Sequence, residues 1–221
     1  NLLTLQRTAG LTDITQERLA TGLEVNSAQD DATAFFISRS LNFRADDLSR
    51  IKDNIELGIS TVTAGLQGIE AITELMGTAK GLANNAAATG DTNERSTLAV
   101  QFNDILTQLD DLTNDASFNG INLIKGTPDN LIIDFNEDSS NTITVSGLDS
   151  TTATTGLNVA NATNNFADSA AIDTALTAIN SALVELRGNA ATLGSNNSIL
   201  QTRLSFTEDL ANTLLEGSGT L

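Results

Sequence analysis

Apolar residues recur along most of this chain at steps of three and four, the spacing that gathers them on one face of a helix. In residues 1–22 the stripe is Leu2, Leu5, Ala9 and Leu19, with Leu23 following, and it is less regular in the middle. Gly22 interrupts it, and residues 23–26 read as a connecting turn. Asn26 or Ser27 is then placed to cap a very long helix over residues 27–88. Asp30 and Asp31 fall in its first turn, where carboxylates favour the positive helix end. The clearest seam in that helix is Ile55, Ile59, Val62, Leu66, Ile69, Ile72, Met76, Ala79 and Ala83, which has the coiled-coil period. Gly58, Gly65, Gly68, Gly77 and Gly81 lie inside it. Each costs about 1 kcal/mol relative to Ala in a helix interior. They are either tolerated weak spots or places where a neighbouring helix, of this chain or another, comes close.

Residues 89–91, Thr-Gly-Asp, break the run, and Asp91 with Glu94 resembles a capping box for the next helix. That helix covers residues 92–115, with Leu98, Phe102, Ile105, Leu109, Leu112 and Ala116 in strict four-three alternation. Phe118, Asn119 and Gly120 make a turn. The pattern then changes: Ser, Thr, Asn and Asp become dense and β-branched alternation appears. Residues 131–135 and 142–145 read as the two strands of a hairpin with residues 136–141 as its loop, and residues 121–124 as a short strand. The helical period returns over residues 168–215 through Ile179, Leu183, Leu186, Ala190, Leu193, Asn197, Leu200, Leu204, Thr207, Ala211 and Leu214. Gly217, Ser218 and Gly219 are expected to fray.

For both long seams to be buried, the last helix must run back along the earlier ones. The pattern therefore predicts a mainly α fold: an elongated antiparallel bundle of long coiled-coil-like helices with a small β-hairpin region. A helix of about 60 residues would span roughly 90 Å. Residues 1–117 form the N-terminal helical part, 118–167 a β-rich insert, and 168–221 a C-terminal helix packing back on the N-terminal part.

Composition narrows the chemistry. The 221 residues include no Cys, no His, no Trp and no Tyr, and a single Pro, Pro128. Without His or Cys there is no Ser-His-Asp triad, thiolate nucleophile or His-containing zinc site. Asp134, Asn136, Asp138 and Ser140 begin like a calcium loop, but the Gly and the bidentate Glu of that loop are missing. The adjacent pairs Asp46-Asp47 and Asp110-Asp111 point about 100° apart on a helix and read as solvated faces. No catalytic residue, cofactor site or metal site is expected, and the chain does not read as an enzyme. A net charge of -17 repels phosphate backbones and speaks against nucleic acid. No apolar run approaches the roughly 20 residues of a spanning helix, so membrane insertion is not expected.

The residues from Arg18 to Ala32 read Arg-Leu-Ala-Thr-Gly-Leu-Glu-Val-Asn-Ser-Ala-Gln-Asp-Asp-Ala. They resemble the R-L-x-[ST]-G-L-x-[IV]-N-S-A-x-D-D-A pattern of bacterial flagellins at nearly every fixed position. Residues 54–60 resemble the family's N-D-G-I-S stretch, and Phe118-Asn119-Gly120 its F-N-G turn. Residues 142–145 and 157–159 resemble its T-I-x-[IV] strand and L-N-V segment, and residues 172–176 the start of its long C-terminal helix. The resemblance covers almost the whole chain. Against the family's pattern, the terminal helices that pair in the inner filament core read as truncated, and the variable outer domains as reduced to a short insert. From this the chain alone is expected not to polymerise.

What the resemblance implies is a structural subunit of the flagellar filament, secreted to the extracellular flagellum, self-assembling with other flagellin subunits and serving motility. It also implies dealings with the flagellar export machinery, an export chaperone and the filament cap. Subunit contacts are expected at Arg18, Gly22, Asn26, Asp30 and Asp31, although the two aspartates serve equally as simple helix caps. Asn136, Asp138 and Asn141 belong to the hairpin loop. The family's L-Q-R-[IV]-R-E-L-A stretch, recognised by a vertebrate Toll-like receptor, corresponds to residues 69–76, where Ala71 and Thr73 replace both arginines. Poor recognition by that receptor follows. The alternative reading is a surface adhesion or polysaccharide-binding module on the same scaffold, which would use Arg39, Arg44, Arg50 and Lys52 as a basic strip.

Overall fold

The computed structural model describes residues 2–22 and 24–220. Four α-helices account for most of the chain: α1 (Leu2–Thr21), α2 (Ala32–Ala88), α3 (Thr92–Asp115) and α4 (Ser169–Gly219). Strands β1 (Leu131–Asp134) and β2 (Thr142–Val145) pair as a two-stranded sheet, and a 3-10 turn covers Thr163–Phe166. The fold is mainly α with a small hairpin, as the periodicity predicts.

Two compact units divide the chain. Asn1–Asn54, Asp134–Asn141 and Arg203–Leu221 form the first, and Ile55–Ile133 with Thr142–Thr202 the second. In the first, Ser38 hydrogen-bonds the carbonyl of Ser218 at 3.0 Å and Lys52 pairs with Glu208 at 3.7 Å. Numbers rise along α2 as they fall along α4, so the two segments are antiparallel. Their seam among the described residues buries Ala45, Leu48, Ile51, Ala211 and Leu214. The helix end expected to fray is instead tied down. The buried Ser218 hydroxyl lies 3.1 Å from the Asn42 side-chain oxygen, and α4 continues to Gly219.

The second unit has the larger core. Ile55, Val62, Ile69, Ile72 and Met76 of α2 are buried with Phe102 and Leu109 of α3 and with Ile179, Leu186 and Leu193 of α4. These are the seam positions read from the sequence. Phe102 and Phe166 meet edge-on with ring centres 5.2 Å apart, so the 3-10 turn caps the α3 side of this core. The helix glycines separate into two kinds. A Cβ on Gly68 would lie 2.5 Å from the end of Ile124 and 2.9 Å from Ala116, and one on Gly58 would strike Ile133, whereas Gly77 and Gly81 face open space. Close approach explains the first pair, but the neighbours are strand, loop and helix-cap residues and not a neighbouring helix.

Local chemistry sets the boundaries. Asp91 caps α3 by accepting the Asn93 amide at 2.8 Å. Glu94 does not close a reciprocal box; it takes the Thr89 hydroxyl at 2.6 Å. Asn119 and Gly120 both have positive φ, 50° and 80°, and Phe118 bridges Ile121, the geometry of a tight primed turn. The short strand expected over residues 121–124 does not form beyond that bridge. The buried Asn122 explains this: its amide donates to the Thr113 and Asn114 carbonyls at 2.8 and 3.1 Å, closing the end of α3. Its oxygen accepts from the Ile124 and Lys125 amides, curling the backbone away from an extended path.

Candidate functional site

The stretch from Arg18 to Asp31 is built from short-range hydrogen bonds. α1 ends where Gly22, with φ of 72°, sends its amide back to the Arg18 carbonyl at 2.9 Å, the left-handed cap that glycine adopts without strain. Leu23 lies outside the described residues. One Asp30 carboxylate oxygen accepts from the Ser27 amide (2.9 Å), the Ser27 hydroxyl (3.0 Å) and the Asn26 amide (3.3 Å). The Ser27 hydroxyl holds the Asp30 carboxyl below its ordinary pKa. The Ser27 and Asn26 amides and the charge of Arg18 act in the same direction.

Asp31 is itself the N-cap of α2. Its carboxylate accepts the Thr33 and Ala34 amides at 2.9 and 3.0 Å. The helix therefore starts at Ala32, five residues later than the spacing predicts, because Asp30 turns back to close its own turn while Asp31 caps forward. Asn26 and Ser27 do not cap the helix; they donate to Asp30. Arg18, Gly22, Asn26, Asp30 and Asp31 thus come together at one junction in the sequence, each with a local structural use.

On either side of this junction lies uncovered apolar surface. No residue of α1 is buried, with Leu2 76% and Leu19 86% exposed. At the start of α2, Phe36 is 63% and Phe43 58% exposed. These two rings escaped the sequence reading, which followed the coiled-coil seam farther along the helix.

The hairpin loop is closed by its own polar groups. Asn136 accepts the Asn141 amide at 3.0 Å, Asp138 accepts the Ser140 amide at 3.1 Å, and Ser139 donates to Asp134 at 3.1 Å. The Ser140 hydroxyl and amide hold Asp138 below its ordinary pKa. The loop is fastened to the α2 and α4 segments of the first unit. Arg44 of α2 pairs with Glu137 at 2.8 Å, and the Arg203 guanidinium of α4 lies 4.9 Å from the Phe135 ring centre. The Glu137 backbone amide and then Arg44 lower the Glu137 pKa.

The proposed basic strip dissolves in this arrangement. Arg44 serves Glu137, Arg50 pairs with Asp47, and Lys52 pairs with Glu208. Arg44 and Arg50 remain exposed beside their carboxylates, and Arg39 stacks on Phe35 and Phe43 with no ion pair among the described residues. Asp110 also departs from its reading as a solvated carboxylate. It accepts the Thr152 amide and hydroxyl, both at 2.7 Å, and so pins the loop before the 3-10 turn to α3. A carboxylate facing a distant Thr leaves no periodic signal, which is why spacing missed it.

Long antiparallel helices, a locally capped joint and a large uncovered apolar face define a structural assembly protein. A family profile, the bacterial flagellin N-terminal helical region, matches residues 1–129. Flagellin FljO of Caulobacter vibrioides is 29% identical over 227 residues, covering 100% of this chain and 80% of the relative. Flagellin FljM of the same organism is 30% identical over 214 residues, covering 96% and 77%. A flagellin of Brucella melitensis is 28% identical over 228 residues. The crystal structure of Bacillus cereus flagellin superposes with a TM-score of 0.60 at 22% identity, covering 70% of this chain and 88% of that one, which speaks for the fold. This chain belongs to the bacterial flagellins and is a structural subunit of the flagellar filament, an extracellular polymer of flagellin subunits.

Proposed function

We propose that the protein, in the form its cells export and not as these 221 residues alone, self-assembles with copies of itself into the filament that drives swimming. The observation that carries this is α1: a 20-residue helix with no buried residue and leucines that are largely exposed. An isolated helix of that length is marginal in water, and contiguous apolar surface of this kind marks an interaction site. Neighbouring subunits would supply the missing cover. A contact that repeats without closing on itself gives a helical filament.

On this reading Arg18, Gly22, Asn26, Asp30 and Asp31 shape the joint at which α1 meets its neighbours, capping and contact being served by the same residues. Passage through the flagellar export machinery, with an export chaperone and the filament cap as transient partners, belongs to the same proposal. The net charge of -17 supports solubility while subunits are concentrated before assembly.

Negative-stain electron microscopy tests the reading. The protein as its cells export it should extend short filament seeds, and the double variant Leu5→Ser, Leu19→Ser should not. Normal filaments from that variant would sink the role given to α1.

A further inference from the structure

Asn119 and Gly120 are the central residues of the turn that follows α3, and both are exposed. Asn119 is the one asparagine in the chain that glycine follows. Neither its side-chain amide nor the Gly120 backbone amide has a hydrogen-bond partner among the described residues. A Cβ on Gly120 would meet nothing within 4 Å, so the space beside this residue is open.

Asparagine is one of the thermolabile side chains. Its weakness lies in the amide nitrogen of the next residue, which attacks the side-chain carbonyl carbon. Hydroxide removes the Gly120 amide proton, and the nitrogen bonds to Asn119 Cγ. The bond from Cγ to Nδ2 breaks, and ammonia leaves with a proton from water, which regenerates the hydroxide. A five-membered succinimide remains, and water adds to either of its carbonyl carbons. Opening at the side-chain carbonyl gives aspartate in an unaltered backbone. Opening at the backbone carbonyl gives isoaspartate, with the main chain running through the former side chain. Asparagine and water become acid and ammonia, with no change of oxidation state. Glycine favours the attack because it has no Cβ to crowd the nitrogen.

The turn sets the pace. Asn119 at φ 50° and Gly120 at φ 80° hold the Gly120 nitrogen away from Asn119 Cγ, so ring closure needs rotation about the Asn119 ψ. The turn is held by a pair of backbone bonds, from the Phe118 amide to the Ile121 carbonyl at 2.9 Å and back at 3.0 Å. We propose that Asn119 is a site of spontaneous modification in the folded chain, converted to aspartate and isoaspartate through openings of this turn, with water as the sole co-reactant. The two products differ in consequence. Aspartate tolerates the left-handed conformation and adds one negative charge to a chain already at -17. Isoaspartate lengthens the main chain by one carbon, so a two-residue turn no longer sets Phe118 opposite Ile121. Asn122 follows directly, and its side chain closes the end of α3 on the Thr113 and Asn114 carbonyls. The isoaspartate form therefore loosens that helix end, and the aspartate form does not.

The protein as its cells export it, kept as dissociated subunits and aged in mildly alkaline buffer, tests this by peptide mapping. The tryptic peptide of residues 96–125 should gain the one-dalton difference between amide and acid, ahead of the other asparagine-bearing peptides. Fragment ions should place the gain on Asn119, and chromatography should split it into two products. In urea the conversion should run about tenfold faster, because two backbone hydrogen bonds hold the turn by a small net free energy. Asn119→Gln, whose longer side chain would have to close a larger ring, should show no gain at this position. Asn119→Asp should match the unmodified protein by far-UV circular dichroism and keep the Asn122 side-chain amide signals by NMR, which the isoaspartate form should lose. A folded protein whose Asn119 gains no more than its other asparagines, even where the urea-unfolded chain gains readily, would overturn the proposal. Equal rates in the folded and unfolded protein would overturn the part given to the turn.

Discussion

The two units distribute their apolar residues in opposite ways. In the second, seams from α2, α3 and α4 and the loops between them close on one another. Phe102, Phe166, Ile72 and Leu186 are fully shielded from water. In the first, the buried apolar set among the described residues is Ala45, Leu48, Ile51, Ala211 and Leu214, while Leu2, Leu5, Leu19, Phe36 and Phe43 stay wet. Similar helices in the two units therefore have different duties. α3 hides Ala99, Phe102, Leu106, Leu109 and Thr113, and α1, of nearly the same length, hides nothing. One unit shields most of its large apolar side chains; the other leaves several of them exposed.

That contrast can be broken at single positions. Phe102→Ala should cost the chain about 3–5 kcal/mol, read by urea unfolding, because a large ring leaves a cavity in a closed core. Gly68→Ala should destabilise by about 1–3 kcal/mol, since its methyl would press on Ile124 and Ala116, outweighing the better helix propensity. The same change at Gly77, which faces open space, should stabilise by about 1 kcal/mol, so a loss there would contradict the packing described. Asp91→Ala, removing the cap of α3, should cost about 1 kcal/mol.

Leu5→Ala in α1 should change the unfolding free energy by less than about 0.5 kcal/mol, while slowing seeded growth. A large loss of monomer stability would show that α1 is already packed. The smallest effect concerns acid. Asp30 is held below its ordinary value of 3.8, so its turn keeps its full stability above that pH and loses it as pH falls through the lowered value. The amide signal of Ser27 should report that titration by NMR; a midpoint above 3.8 would refute the hydrogen bonds assigned to Asp30.

Much of this was legible in the chain's periodicity. The α3 boundaries, the hairpin and the α4 seam through Leu186, Leu193 and Leu200 follow from spacing, because burial on one helical or strand face repeats at a fixed step. The flagellin signature at residues 18–32 was equally plain. What spacing could not show were groups whose partners depend on which oxygen faces which amide. Asp30 and Asp31 are neighbours of the same type, yet one caps backward and the other forward. Asn122 looked like part of a strand because its apolar neighbours alternate, and only its side-chain bonds to the end of α3 explain the bend. The basic strip failed for a related reason: three of its four cations find carboxylates on the hairpin loop, on α4 or one turn along α2.

The hydrogen bond from Ser38 to the carbonyl of Ser218 spans 180 residues. Seen as a matter of timing, it makes the first unit the slowest part of the molecule to complete. A chain delivered N-terminus first presents Ala45, Leu48 and Ile51 long before the α4 segment that covers them exists. Non-local pairings of this kind form late, after the entropy of closing so long a loop has been met. While the chain is made from its N-terminus, the first unit therefore lacks the partner for its earliest seam until the residues from Arg203 onward have been added.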